Sequence, residues 1–314
     1  MFVVSAAALV PLAWVIGEST EQVAEHTGPG IGGFLNATFG NAPELIIALI
    51  AVQQGLFEVV RGSIAGSVVS NLLLVLGLSM VATTSHERLD RRSLLPQLAI
   101  ILFAALLFLI PAIPGWHGHP NRHSLFVAGL PIAAVLLAVY VATNVRGLRR
   151  HGTMRRDDAR EGAWPLRWSL AMLGTSAAAT AFVSEGLVRS LTGFGNALGL
   201  SQFFVAVVIV ALVGNAAEHG GAVVVARRGK TKLASEIAVT SSAQVAVFVA
   251  PAVVLLSLFA RHRLTLAFRP IELVTIVLAT LLVAATIAGG RTSRRTGYVL
   301  VAAYAAAVVA YGFN

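Results

Sequence analysis

The sequence of 314 residues has no cysteine and little charge, since Asp, Glu, Lys and Arg make up only 12% of it. Without cysteine, disulfide bonds, zinc–thiolate sites and thiol nucleophiles are excluded. A soluble domain is about 45–50% apolar and about 25% charged, whereas this chain is 57% hydrophobic, with a mean hydropathy of +0.81. A water-soluble fold cannot bury so much apolar surface, and so little charge does not keep a disordered chain solvated. The composition therefore predicts a membrane protein.

The net charge of +9 does not indicate nucleic-acid binding, because the 23 Lys and Arg stand in short clusters between long apolar runs. This arrangement is typical of the loops of membrane proteins. About 20 apolar residues cross the hydrocarbon core as a helix, and the runs are too continuous for barrel strands. The sequence predicts an all-α integral membrane protein with ten transmembrane helices, at about 2–25, 34–54, 60–83, 94–113, 124–145, 167–190, 201–226, 234–259, 268–290 and 297–313.

The positions of Lys and Arg predict the orientation. The loops after odd-numbered predicted spans, with their flanks, hold 17 of the 23 Lys and Arg, and the loops after even-numbered spans hold 6. Because cytoplasmic loops are enriched in positive charge, we expect both termini outside, in a plasma (inner) membrane. The N-terminus lacks the basic segment of a signal peptide and is predicted to be a span. The polar stretch 147–166 is predicted to be a basic cytoplasmic linker between domains 1–146 and 167–314.

Two related motifs divide the chain: GNAPE at 40–44 and GNAAE at 214–218, an offset of 174 residues. The same offset pairs Ser67 with Ser241 and Ser70 with Gln244. Five predicted spans in each half mean that the second half enters the membrane upside down relative to the first. The predicted architecture is two inverted five-helix repeats, with a site at the midplane between them.

Only two of the 14 acidic residues, Glu44 and Glu218, fall deep inside a predicted span. A charge there costs ~2.5–3.5 kcal/mol, so a symmetric pair indicates function rather than structure. Each is preceded by an Asn on the same helix face and by a Gly that lets the backbone open. These residues are Asn41, Asn215, Gly40 and Gly214.

The oxygen atoms of these groups are the ligands that a hard cation such as Ca²⁺ prefers. Two carboxylates neutralise one divalent ion or bind two protons in its place, so competition for the pair couples cation movement to proton movement. We therefore expect Asn41, Glu44, Asn215 and Glu218 to bind the transported cation, without a cofactor.

Small polar residues in the neighbouring spans are candidates for lining the ion pathway, together with the two motif glycines. They are Ser67, Ser70, Asn71, Ser241, Ser242 and Gln244. Such residues also serve as ordinary helix-packing contacts, and this alternative is open for each of them.

Three further residues are candidates for proton transfer or accessory roles. His219 follows Glu218 directly and is a candidate proton shuttle, or it hydrogen-bonds a neighbouring helix. Glu21 and Glu185 each lie one span before a motif, and the alternative for Glu21 is a solvated helix end.

Three strings carry a family resemblance: GGFLNATFGNAPELI at 32–46, GSVVSNLLLVLG at 66–77 and VGNAAEHGGA at 213–222. Together they resemble the Ca²⁺/H⁺ exchanger (CAX) family of the Ca²⁺/cation antiporter superfamily. The resemblance implies that Glu44 and Glu218 bind the transported cation and exchange it for protons. It also implies alternating access, with sliding of the first and sixth helices.

The chain departs from the family pattern in places. Family members usually have eleven spans, with one more at the N-terminus than the ten predicted here. Thr240 stands where the family usually has Gly before the Ser-Ser pair. Pro43, directly before the first motif Glu, is reminiscent of the Na⁺/Ca²⁺ exchanger branch. The basic linker also lacks the acidic helix of some family members.

The function predicted from the sequence is exchange of Ca²⁺ for H⁺ at a central two-glutamate site, and not enzymatic activity. The alternative within the same fold is another cation or coupling to Na⁺; a channel and an intramembrane aspartyl-type enzyme are rivals from other classes. The expected partners are membrane lipid and small cations, with no nucleic acid; homo-oligomer formation is left open.

Overall fold

The structure is a computed structural model that describes residues 1–83, 89–151, 164–289 and 293–313, apart from the side chains at 28–30, 33, 37 and 146–151. Within these residues every regular element is a helix and none is a strand, as predicted. The helices are α1 (Phe2–Phe39), α2 (Ala42–Gln53), α3 (Phe57–Ala82), α4 (Arg91–Trp116), α5 (His123–His151), α6 (Leu166–Leu198), α7 (Gln202–Gly214), α8 (Ala216–Arg227), α9 (Thr231–Phe259), α10 (Pro270–Gly289) and α11 (Arg294–Gly312).

Seven helices of the described part of the chain are long and apolar enough to cross a membrane, and the bent pair α7–α8 makes an eighth if it counts as one span. The short apolar helix α2 and the C-terminal helix α11 are not among the seven. The chain is therefore a multi-pass, all-helical membrane protein.

The element α1 is not a straight rod. In a straight α-helix, Ala24 and Gly32 would be about 12 Å apart along the axis. A Cβ atom on Gly32 would instead lie 2.8 Å from the Cβ atom of Ala24. The chain reverses between these residues, where the sequence predicts a loop, and the first membrane-crossing segment is Phe2–Thr27.

Two predicted spans, 34–54 and 201–226, are broken rather than continuous. The helical path is interrupted at Asn41, with φ −91° and ψ 13°, and at Asn215, with φ −92° and ψ 10°. The second break bends α7 relative to α8 by 58°. Both breaks fall inside the repeated motifs, one residue after the glycine, so the motif side chains leave the backbone at a helix end.

The three helices that flank the motifs each contain a wide π turn: Ser70–Val75 in α3, Val205–Val210 in α7 and Val245–Val249 in α9. Such turns are rare and occur mostly at functional sites. The turn in α3 begins at Ser70 and includes Asn71, and the turn in α9 follows Gln244 directly. The irregular backbone is thus concentrated around the polar residues that the sequence singles out.

The predicted linker 147–166 is only partly covered by the structure, since 152–163 lie outside the described residues. The C-terminal end of this linker, at Trp164, is hydrogen-bonded to α1. The backbone N–H of Trp164 donates to Gln22 Oε1 at 2.9 Å, and its carbonyl oxygen is 2.6 Å from His26 Nε2. These bonds hold the start of α6 against the end of the first membrane-crossing segment.

The start of α4 is fixed to the start of α9. The Asp90 carboxylate accepts hydrogen bonds from the backbone N–H groups of Arg92 and Ser93 at 3.0 and 3.4 Å, and Lys232 Nζ lies 2.9 Å from it. A second bond joins Thr83 Oγ1 and Thr231 Oγ1 at 2.5 Å. The Lys232 ammonium group, together with the capping N–H groups, lowers the pKa of Asp90 below its ordinary value of 3.8.

Because the folded-state pKa of Asp90 is depressed, its carboxylate stabilises the fold above its ordinary pKa of 3.8 and loses this effect as the pH falls through the lowered folded value. We expect Asp90→Ala to lower the melting temperature in detergent at pH 7. Asp90→Asn, which keeps a capping side chain, is expected to lower it less. Both differences from the wild type should shrink below pH 3.8. Equal melting temperatures for Asp90→Ala and wild type at pH 7 would contradict the assignment.

Candidate functional site

The two motifs pack against each other reciprocally. A Cβ atom on Gly214 would lie 3.4 Å from Glu44 Cγ and 3.8 Å from its Oε1 atom. A Cβ atom on Gly40 would lie 3.8 Å from Glu218 Oε1. Each glutamate therefore rests on the glycine of the other motif, and the structure brings both predicted carboxylates to one place. A hydrogen atom at each glycine leaves the carboxylates room to approach the opposing backbone.

A chain of polar side chains connects α3, the second motif and α9. Asn215 Nδ2 donates to Ser67 Oγ at 2.7 Å, and its Oδ1 atom accepts from Asn71 Nδ2 at 3.1 Å. The same Asn71 nitrogen is 3.1 Å from Ser241 Oγ, and Ser241 donates in turn to the Glu218 carboxylate. Five predicted site residues thus form one network, which orients Glu218.

On the first motif, Asn41 Nδ2 donates to Gln244 Oε1 at 2.8 Å. This bond joins the two halves of the chain across 203 positions. It places two residues that the sequence assigned to opposite repeats in direct contact.

Two buried oxygen atoms beside the motifs do not accept a hydrogen bond from any described residue. Glu44 Oε2 and Asn71 Oδ1 have no hydrogen-bond partner in the described part of the chain. An unpartnered buried oxygen is costly unless something else compensates it, and a bound cation does so. Carboxylate and amide oxygens are the donors that Ca²⁺ accepts. In the described residues no group of three or more His, Cys, Asp and Glu comes together, so further ligands must come from amide, hydroxyl or backbone oxygens, or water.

Access to the two carboxylates differs. Glu218 faces a cavity of about 490 Å³, which we call the main cavity. Glu44 lines a small void of about 10 Å³, whose other walls include Ile47, Ser63 and Ser67. The larger of these two cavities is therefore the one at Glu218.

The main cavity has an acidic wall. Glu21, a predicted accessory residue, lines it together with Glu18 on the same helix and Glu236 on α9. The sequence did not single out Glu236 for this place, although its position two turns before Gln244 is the signal that could have indicated it. Carboxylates along such a cavity raise the local concentration of cations.

Several predicted residues lie elsewhere. Glu185 is paired with Arg189 on the surface of α6 and lines a separate depression beside Ser5, so the structure does not bring it to the site. The Nε2 atom of His219 is buried and has no partner among the described residues. Hydrogen bonding to a neighbouring helix, the alternative considered for His219, is not seen at this nitrogen.

The hydroxyl groups of Ser70 and Ser242 donate to backbone carbonyl oxygens. Ser70 donates to the carbonyl oxygen of Ser67 at 3.2 Å. Ser242 donates to the carbonyl oxygens of Ala238 at 3.0 Å and Val68 at 3.3 Å. Of these three bonds, the one from Ser242 to Val68 joins two helices, α9 and α3, whereas Ser67 and Ser241 belong to the polar network.

Glu272 is buried, although it lies in the first turn of α10. It is 1% exposed, and it accepts a hydrogen bond from the backbone N–H of Arg269 at 2.5 Å. The nearby Arg61 is 3% exposed and donates to Asn121 Oδ1 at 2.9 Å. Arg269 Nη2 also lies 2.7 Å from Glu58 Oε2.

Known proteins resemble this chain over nearly its full length. A family profile described as sodium/calcium exchanger protein matches residues 1–145 and 168–312. The chain is 35% identical over 325 residues to the Ca(2+)/H(+) antiporter ChaA of Bacillus subtilis (strain 168), covering 100% of this chain and 91% of that protein. It is 34% identical over 343 residues to the Ca(2+)/H(+) antiporter of Aphanothece halophytica, covering 100% and 90%. The solved structure of native YfkE matches with a TM-score of 0.85 at 33% identity, covering 100% of this chain and 92% of that one.

Proposed function

The chain belongs to the sodium/calcium exchanger protein family, in its Ca²⁺/H⁺ exchanger branch, and from this membership we propose that it exchanges Ca²⁺ for H⁺ by alternating access at a central two-glutamate site. It is an integral membrane transporter and not an enzyme. The observation that carries the proposal is the reciprocal packing of Glu44 and Glu218 against the opposing motif glycines, beside buried oxygen atoms that lack a partner.

The proposed architecture is ten transmembrane segments in two inverted repeats, 1–146 and 167–314, joined by the cytoplasmic linker 147–166. In this scheme the end of α1 with α2, and α7 with α8, are the corresponding broken spans. Support comes from the two breaks, which fall at the same motif position with nearly equal dihedral angles. Broken helices at the interface of two repeats are how secondary transporters bind ions at the midplane.

The proposed ligands are the two carboxylates with the amides of Asn41 and Asn215. Two carboxylates balance one Ca²⁺ ion, and two protons balance the same pair when the ion leaves. Carrying either load, the site is neutral, whereas the empty ionised pair is costly to move through a low-dielectric interior. This difference is the physical basis for obligatory exchange.

The proposed state of the structure is inward-facing. The main cavity opens beside Glu18 and Glu21, at the end of the first membrane-crossing segment, and beside Leu233 near the start of α9. The α9 start follows a loop rich in Lys and Arg, which the positive-inside rule assigns to the cytoplasm. Both termini then lie outside, in the inner membrane. In this proposal the small void at Glu44 lies toward the outer side, which is closed in this state.

The proposed function is tested in proteoliposomes that hold a pH-sensitive dye, with the membrane potential clamped and Na⁺ absent. Ca²⁺ added outside should enter in exchange for protons and raise the internal pH. Ca²⁺ uptake that is indifferent to the pH gradient would indicate a channel, and uptake only with a Na⁺ gradient would indicate Na⁺ coupling.

The motif glycines allow a paired test of the site geometry. A methyl group on Gly40 would lie 2.6 Å from the carbonyl oxygen of Asn36, so the backbone beside Glu218 must shift. On Gly214 the methyl group would only reach ordinary contact with Glu44, at 3.4 Å. We expect Gly40→Ala to weaken Ca²⁺ binding about tenfold or more and Gly214→Ala about two- to threefold. Isothermal titration measures both; the reverse order would contradict the geometry.

A further inference from the structure

A second polar cavity, which we call the side cavity, lies between α4, α5 and α9. Its volume is about 90 Å³. Six of its nine lining residues carry polar groups: Gln97, Tyr140, Thr143, Asn144, Thr240 and Gln244. One water molecule takes ~30 Å³ in the liquid and needs two to four polar partners. The side cavity therefore has the room and the hydrogen-bonding groups for about three water molecules.

The side cavity ends at the site. Thr240 and Gln244, one turn apart on α9, line both the side cavity and the main cavity. Gln244 also accepts the hydrogen bond from Asn41 of the first motif, at 2.8 Å. The opposite wall of the side cavity is also joined to the first motif: Tyr140 Oη is 3.0 Å from Oγ1 of Thr38, which lies two residues before Gly40. The side cavity thus approaches the site at Asn41, whereas the main cavity reaches Glu218.

The other end of the side cavity points to the cytoplasm in the proposed orientation. Gln97 is six residues from the start of α4, and Asn144 is seven residues from the end of α5. Both lie about 10 Å along their helices from these ends. The helix ends adjoin the loop before Arg91 and the linker 147–166, which are both assigned to the cytoplasm.

The lining of the side cavity suits water and protons but not a divalent cation. The described residues that line it include no carboxylate, and Tyr140 is the one ionisable group among these. On the packed helices, Glu236 of α9 lines the main cavity instead, and Arg91 donates to carbonyl oxygens at the end of α10. Ca²⁺ needs charged oxygen ligands to replace its hydration shell; of the two cavities, the main cavity offers such ligands among the described residues and the side cavity does not.

We propose that the side cavity is a proton route between the cytoplasm and the site, separate from the cation route through the main cavity. Each water molecule in it accepts a proton on one side and releases one on the other, so no group is consumed. The inference rests on the proposed exchange of Ca²⁺ for H⁺ and adds to it the path of the counter-ion.

The first test removes the polar groups while keeping their volume, in the double variant Gln97→Met with Asn144→Leu. We expect its Ca²⁺-driven proton flux in proteoliposomes to fall about tenfold, while its Ca²⁺ dissociation constant in detergent at fixed pH changes less than about twofold. Asn196→Leu, on the exposed surface of α6, is the matched control and should retain full flux. Gln97→Glu, which keeps a polar group, should retain most of it.

The second test uses the absence of cysteine in the chain. Thr143→Cys places one thiol in the side cavity and Ile237→Cys places one in the main cavity. A small neutral thiol reagent should modify both from the cytoplasmic side, and a bulky cationic reagent only Ile237→Cys. Equal reactivity of Thr143→Cys toward both reagents, or toward neither, would overturn the proposal.

The flux experiment separates the remaining outcomes. Wild-type flux in the double variant would overturn the side cavity as a proton route. Loss of Ca²⁺ binding together with flux would overturn its separation from the cation route. If the unmodified chain and the Asn196→Leu control both lack Ca²⁺-driven proton flux, the proposed function itself fails, and this inference with it.

Discussion

Replacement of either motif glutamate by glutamine is expected to abolish exchange of Ca²⁺ for protons. Glu44→Gln and Glu218→Gln keep the size of the side chain but remove one of the two charges that balance the ion. Removing one partner from a buried charge pair costs about 3 kcal/mol or more, which corresponds to at least ~100-fold in affinity. We expect Ca²⁺ binding to fall by this factor and the proton flux in proteoliposomes to vanish.

The matched control is Glu185→Gln, because Glu185 is paired with Arg189 on the surface of α6 and lies apart from the main cavity. It should bind and transport as the wild type does. If both motif variants transported Ca²⁺ with unchanged proton coupling, the two-glutamate account would be wrong. If Glu185→Gln also lost transport, the accessory role considered from the sequence would be restored.

Gly66→Ala is expected to prevent stable folding. A Cβ atom there would lie 1.9 Å from the carbonyl oxygen of Val207 and 2.8 Å from the Cβ atom of Ala211. Both obstacles belong to α7, and the first is backbone, so α3 and α7 must separate to admit the methyl group. Overpacking of this kind costs about 3 kcal/mol or more. The site would suffer too, because Ser67 follows directly and binds Asn215.

The measurement is the yield of monodisperse protein in detergent and its melting temperature. Gly193→Ala in α6 is the control, because nothing lies within 4 Å of the position that its Cβ atom would take. Since alanine is the better helix former by about 0.5–1 kcal/mol, this variant should be as stable as the wild type or more so. A Gly66→Ala protein with wild-type yield and melting temperature would contradict the close crossing of α3 and α7.

Much of the fold can be predicted from the sequence, because the apolar runs and the repeated motifs indicate the same helical architecture. Apolar runs of about 20 residues have no solution in lipid other than helices, and the helices lie where those runs are. The repeated motifs also locate the two breaks in advance, since Gly followed by Asn favours an interrupted helix. Hydropathy alone does not reveal the breaks, because the runs 34–54 and 201–226 are as apolar as the runs that form continuous spans.

The candidate site was predicted by chemistry, and its geometry was not. Two isolated carboxylates inside apolar runs are costly, which is why Glu44 and Glu218 can be picked out without a structure. The contact between Asn41 and Gln244 depends on how the halves pack, which no local pattern encodes. Ser67 and Ser241 belong to the polar network, whereas Ser70 and Ser242 donate to backbone carbonyl oxygens. All four residues are serines in or beside the same short segments, so the sequence does not distinguish their roles.

Symmetry between the halves places the two motifs together in the structure, but it does not place the other candidate residues at equivalent positions. Glu21 lines the main cavity as a candidate accessory residue should, but Glu185, its proposed counterpart, lies elsewhere. The two residues are 23 and 33 positions from their motif glutamates, which is a difference of almost three helical turns. Glu272 shows a separate limit of sequence patterns: a position near a helix start suggests exposure, yet Glu272 is 1% exposed and accepts a hydrogen bond from the backbone N–H of Arg269.

The most direct test of the central claim is the number of protons released when Ca²⁺ binds to the purified protein. Isothermal titration at one pH, in buffers of different ionisation enthalpy, gives this number without any transport assay. If Ca²⁺ and protons compete for the same carboxylate pair, binding at a pH where the pair is protonated should release about two protons per ion. Both Glu44→Gln and Glu218→Gln should reduce that release. Tight Ca²⁺ binding with no proton release at any pH would contradict the account.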